Sequence, residues 1–178
     1  MNRFFRLLVP LAVASLLACG NTQKLPPDVT TDVGTDARSD AETSRAELGT
    51  GQLSWEDLTT DGTHVELIHG PQGGYHVFGR VRFTGLSPQV GITFEVTPVE
   101  GGAPVNDPTD RIVLAEGRGL LPVGQAWETS NAQLVVLTTI HDPSPVVGRR
   151  FRFSVTVTST ATGESARDTR VITIVDKT

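Results

Sequence analysis

Residues 148–175 read GRRFRFSVTVTSTATGESARDTRVITIV, and this stretch decides the fold. Phe151, Phe153, Val155 and Val157 alternate with Arg150, Arg152, Ser154 and Thr156. A period of two with one dry and one wet face specifies a half-buried β-strand. Gly163 then supplies a turn position that accepts positive φ, and residues 170–175 alternate again, so the segment predicts a hairpin. The same grammar recurs upstream. Tyr75, Val77, Val81 and Phe83 share one face against His76, Arg80 and Arg82, and Ile92, Phe94 and Val96 oppose Thr93, Glu95 and Thr97. Leu134, Val136 and Ile140 are assigned to a dry face in the same way. Shorter candidate strands lie near residues 65–68, 112–114 and 120–127. No amphipathic helical run competes with them, so residues 53–178 are expected to form one all-β domain, an antiparallel β-sandwich of about seven to eight strands.

The closing hairpin resembles those of bacterial immunoglobulin-like and PKD-like domains, in which an alternating strand, a glycine-centred turn and a final Thr/Val strand recur. The resemblance implies an immunoglobulin-like topology. The chain departs from antibody domains in having no cysteine pair and no tyrosine beside Phe151 and Phe153. That architecture serves adhesins, enzyme accessory domains and structural spacers alike, so it does not fix a function.

The N-terminus reads as an address. Arg3 and Arg6 precede the apolar run 7–18, which ends in small residues directly before Cys19, the only cysteine. This is the layout of a secretory signal; the run also holds Pro10 and is well short of the roughly 20 residues that a membrane-spanning helix needs. Leu16-Leu17-Ala18-Cys19 resembles the lipobox of bacterial lipoproteins, which implies cleavage of residues 1–18 and diacylglycerol on the Cys19 thiol. Two or three buried acyl chains, at roughly 0.8 kcal/mol per CH₂, make such an anchor effectively permanent. Gly20 stands where inner-membrane lipoproteins carry aspartate, so the resemblance implies a lipid-anchored protein of the cell envelope, in the outer membrane where the host has one.

Composition narrows the partners. The whole chain carries 15 basic and 20 acidic side chains, and loss of Arg3 and Arg6 with the signal leaves a net charge of −7. Nucleic acid is thereby excluded as a partner. With Cys19 acylated, no thiol remains for a disulfide, a metal site or nucleophilic catalysis. Residues 19–52 are poor in large apolar side chains, and Asp28, Asp32, Asp36 and Asp40 recur every fourth position. Carboxylates so spaced would repel each other on a helix, so the stretch is expected to be a disordered, flexible acidic linker reaching about 30 Å.

One segment invites a chemical reading. His69-Gly70-Pro71-Gln72-Gly73-Gly74-Tyr75-His76 sets two imidazoles at the ends of a Gly/Pro loop, and it resembles a GPQGG loop of other bacterial lipoproteins. A hairpin could bring His69 and His76 to one Cu²⁺ or Zn²⁺ ion, with His141 as a third ligand. The same loop, as Pro71, Gln72, Gly73, Gly74 and Tyr75 together with Phe78 and Trp127, could instead recognise an envelope protein or a glycan. Glu100, Asn106, Asp107 and Asp110 offer oxygens without the spacing of a calcium loop, and Arg80, Arg82, Arg149, Arg150 and Arg152 are candidates for a basic patch or for ordinary cross-strand pairing. There is no GxSxG, HExxH, Walker A or dinucleotide fingerprint, and no catalytic residue or cofactor is assigned. The expectation is a non-enzymatic binding or structural lipoprotein; the alternative is a periplasmic or surface Cu/Zn-binding one.

Overall fold

The computed structural model describes residues 43–59, 61–71 and 73–177. The signal segment 1–18, Cys19, the linker as far as residue 42, and Gln72 lie outside the described residues.

The strands that alternate most strictly form the spine of one layer. β11 (Arg150–Ser159) pairs antiparallel with β12 (Ser165–Val175) from Arg150↔Thr173 to Thr158↔Ser165, and Gly163 turns between them at φ 76°. On its other edge β11 pairs with β6 (Gln89–Pro98), placing Val155 opposite Phe94. Phe151, Phe153, Val155, Val157, Ile92, Phe94 and Val96 are all buried, as the alternation requires. Each such side chain contributes roughly 1.5–3 kcal/mol on burial.

The facing layer is organised around β5 (Tyr75–Thr84). β1 (Arg45–Thr50) pairs with β5 from Arg45↔Thr84 to Gly49↔Arg80, and Leu48, Val77, Val81 and Phe83 fill the interior. The layers meet closely at Gly79, where a Cβ would lie 2.7 Å from the Phe94 ring and 3.2 Å from Phe153; only glycine fits. β7 (Arg111–Glu116), β8 (Gly119–Val123) and β9 (Ala126–Thr129) carry the sheet from β6 around to β5. At the other side the Leu48 amide of β1 donates to Asp168 Oδ2 of β12 at 2.8 Å, so a side chain links the two layers where their strands are not paired.

The chain is all-β and sandwich-like, with no helix among the described residues. It differs from the sequence expectation in four respects. First, the described residues form twelve strands rather than seven or eight, because the run 120–127 divides at Gly124 and two pairs of residues, β2 (Glu56–Asp57) and β4 (Ile68–His69), form short ladders too brief for alternation to register. Second, the sheet is mixed rather than wholly antiparallel: β3 (Thr63–Glu66) lies parallel to β12, and β7 meets β8 in parallel at Ala115↔Gly119 and Glu116↔Leu120. Third, β1 falls inside the stretch read as linker, since RAELGT offers only Ala46 and Leu48 as an apolar signal. Fourth, in β10 (Gln133–Val136) the buried residues are Val135 and, just beyond, Leu137; Leu134 and Val136 point outward. The run Leu-Val-Val-Leu fits either phase, and a shift of one residue exchanges the faces completely.

Candidate functional site

The loop between β4 and β5 is a tight, self-bonded turn. Gly70 N–H donates to Gly74 O at 2.9 Å and Gly73 N–H to Gly70 O at 3.0 Å, with Gly73 and Gly74 at φ 78° and 137°. Side chains other than glycine rarely adopt those angles, which accounts for the Gly73-Gly74 pair. Pro71, Gly73 and Gly74 are exposed.

Register then decides the fate of the histidines. His69 lies opposite Tyr75 and Ile68 opposite His76, so the two imidazoles occupy opposite faces of the ribbon. His69 meets the Tyr75 ring edge-to-face at 5.1 Å, and its Nε2 is 3.0 Å from Asp176 Oδ2. His76 instead meets Phe78 edge-to-face at 5.5 Å, and burial pushes its pKa below the ordinary 6.5. His141 sits in an exposed turn after β10. The expected convergence of His69, His76 and His141 is not seen: among the described residues no three His, Cys, Asp or Glu side chains gather as a cation site.

Trp127 is also parted from the loop. It pairs with Phe83, at the far end of β5 from Tyr75, and eight residues of strand span about 26 Å. Tyr75, half-buried, packs against the core at the base of the loop, so it and Trp127 do not share one surface.

The other polar candidates have structural partners. Asn106 is buried: its Oδ1 accepts the Val96 amide at 2.7 Å and its Nδ2 donates to Phe94 O at 2.9 Å, continuing the β6 ladder rather than facing a cation. Asp107 accepts from the Thr109 hydroxyl and amide, which hold its carboxyl below the ordinary range. Nor do the arginines form one patch. Arg149 pairs with Glu100, Arg152 donates to Val99 O, and Arg82 Nε donates to Glu128 Oε2 at 2.7 Å while its guanidinium lies 4.0 Å from the Trp55 ring. Arg80, on the nominally wet face, is only 4% exposed. Its Nη2 donates to Thr129 O and Ser130 O at 3.0 and 3.1 Å, tying β5 to the corner between β9 and β10, and its Nε and Nη1 have no partner among the described residues.

What sequence reading missed is a surface beside the loop. Leu134 and Val136 of β10 stand opposite Phe78 and His76 of β5, so all four side chains share the outer face. Leu134 is 55% exposed and Val136 49%. The alternation in β5 already placed His76 on that face; the phase of β10 was the missing signal.

No family model and no curated protein matches the chain. Among solved structures, it is similar to the CooA pilin subunit from enterotoxigenic Escherichia coli, at 12% identity and a TM-score of 0.36, over 75% of this chain and 99% of that one. Neither figure ties a residue of this chain to a role in that protein.

Proposed function

We propose that the chain is an exported lipoprotein held in the cell envelope by lipid on Cys19, whose β-sandwich works by binding or as a structural part, without catalysis. One observation carries this reading: the sole cysteine directly follows Leu16-Leu17-Ala18 at the end of a short apolar run. Its partners are then the membrane, through the acyl chains, and an envelope protein or glycan, through the sandwich. Gly20 in place of aspartate favours the outer membrane in a host that has one. The side chains that suggested chemistry support a non-catalytic domain, because Asn106, Asp107, Arg80 and His69 each make contacts that hold strands or turns together.

Labelled palmitate is expected to enter the wild-type chain and not Cys19→Ser, and the substitution should shift the chain from the membrane to the soluble fraction by at least about tenfold. An unlabelled wild type, or an unchanged membrane fraction for Cys19→Ser, overturns the proposal.

A further inference from the structure

On the outer face of the β5 layer, two cross-strand rows run over four strands. The first joins Leu121 of β8, Glu128 of β9, Arg82 of β5 and Glu47 of β1. Continuing that register by one rung, the second joins Val123, Ala126, Thr84 and Arg45. In both rows the β8 end is apolar and open, Leu121 being 51% exposed and Val123 43%, while the β1 end is charged. With strands about 4.8 Å apart, each row passes from one character to the other within about 14 Å.

The charged ends border a cleft of about 390 Å³ lined by Arg45, Glu47, Arg82, Thr84, Ala126 and, from β12, Arg170. Arg82 is answered by Glu128 at 2.7 Å and Arg170 by Asp168 at 2.8 Å. Arg45 and Glu47, both exposed, have no partner among the described residues. They project from one face of β1, two residues or about 6.6 Å apart. Three guanidinium groups thus meet three carboxylates, and the cleft keeps one unanswered charge of each sign. A zwitterion with N–H donors at its positive end complements that pair, whereas a purely anionic ligand would meet Glu47 and a chain of net charge −5. The exposed apolar ends beside the cleft suit an amphiphile. Thr43 and Arg45 line the continuation of the cleft, so at most about 80 Å of chain joins it to Cys19.

We infer that this cleft docks the phosphoethanolamine headgroup of a lipid in the membrane that holds the chain. Arg45 donates to the phosphate, Glu47 accepts from the ammonium, and Leu121 and Val123 enter between neighbouring headgroups. Arginine suits the phosphate because its planar fork offers two parallel N–H donors. Two aliphatic side chains bury too little to hold a protein alone, so the contact orients a domain that its tether already keeps near the surface. The inference rests on the lipid anchor at Cys19 and adds the face that the sandwich turns to the bilayer.

The test uses the full chain in intact cells, with a photo-crosslinking residue at position 123 or, as a control, at Leu53, which is 93% exposed but follows the end of β1 remote from Arg45. Mass spectrometry should find phosphatidylethanolamine attached at position 123 about fivefold or more above position 53, as suits a tethered, specific contact. Arg45→Glu should cut that adduct about tenfold, the loss of one charge-assisted contact, with the Tm unchanged, and Arg45→Lys should keep most of it. The purified chain is then placed in vesicles of equal parts phosphatidylglycerol and either phosphatidylethanolamine or phosphatidylcholine. The ethanolamine lipid should give the stronger adduct, because the methylated ammonium of choline has no N–H for Glu47, and Glu47→Ala should remove the preference. A lipid adduct no stronger than at position 53, one indifferent to Arg45→Glu, equal adducts in the two vesicles, or adducts with protein alone overturn the inference. Palmitate labelling of the same samples separates the two readings: a labelled chain without the lipid adduct sinks the docking alone, and an unlabelled chain sinks the anchor.

Discussion

β11 and β10 are both strands with alternating exposure, yet they constrain the chain very differently. In β11 every second residue from Arg150 to Thr156 is polar, so only one phase buries the apolar set, and both edges are paired, to β6 and β12. β10 runs Gln-Leu-Val-Val with a single paired edge, and its outward face is as apolar as its inward one. The difference teaches that polar interruptions, more than hydrophobicity, set a strand's register. It also separates residues that hold the fold from residues that are free to do something else.

The sharpest way to break that distinction is to truncate one side chain from each strand. Phe153, fully buried between the layers, should cost about 3–5 kcal/mol as Phe153→Ala, whereas Leu134→Ala should stay within about 0.5 kcal/mol, both measured by urea denaturation. Comparable losses at the two positions would mean that β10 is packed as β11 is. A smaller effect sharpens the comparison at the β5–β10 boundary. Burial against Phe78 lowers the pKa of His76, so the fold favours the neutral ring while the unfolded chain takes up the proton first. His76 should thus support stability above pH 6.5 and withdraw that support as the pH falls through its lowered folded value. The Tm of wild type should accordingly fall more than that of His76→Gln on acidification below 6.5, and equal slopes would refute the assignment. The smallest expected effect concerns metal. A site engaging the native state would add roughly 2.7 kcal/mol at a hundredfold excess over Kd. With His69 and His76 on opposite faces, Cu²⁺ or Zn²⁺ should instead produce no Tm shift that distinguishes wild type from His69→Ala/His76→Ala. A shift lost in the double variant would restore the metal reading.

Much of the fold was legible in the sequence because β5, β6, β11 and β12 each place polar residues between apolar ones. β1 was not, since two apolar side chains among Arg, Glu, Gly and Thr look like the acidic stretch that precedes them. The candidate site was legible only in part. A loop between two strands follows from Gly70 to Gly74, but whether its flanking histidines converge depends on pairing by a single residue: a ladder matching His69 with His76 would have joined them, and the observed His69↔Tyr75 turns His76 over. Asn106 and Arg80 were misplaced for a related reason, because their partners are backbone carbonyls and amides brought near by the tertiary fold, which composition does not reveal.

The position of β1 has a mechanical consequence. Any tug transmitted through the residues before Thr43 enters the domain at Arg45, the first rung of a ladder that runs to Gly49↔Arg80 and is clasped beyond by the Leu48–Asp168 bond. Drawn along its own axis, β1 is loaded in shear, so its rungs share the force and the buried Leu48 must leave the interior before the strand slips. The domain therefore meets such a pull with a five-rung ladder loaded in shear rather than one that unzips rung by rung.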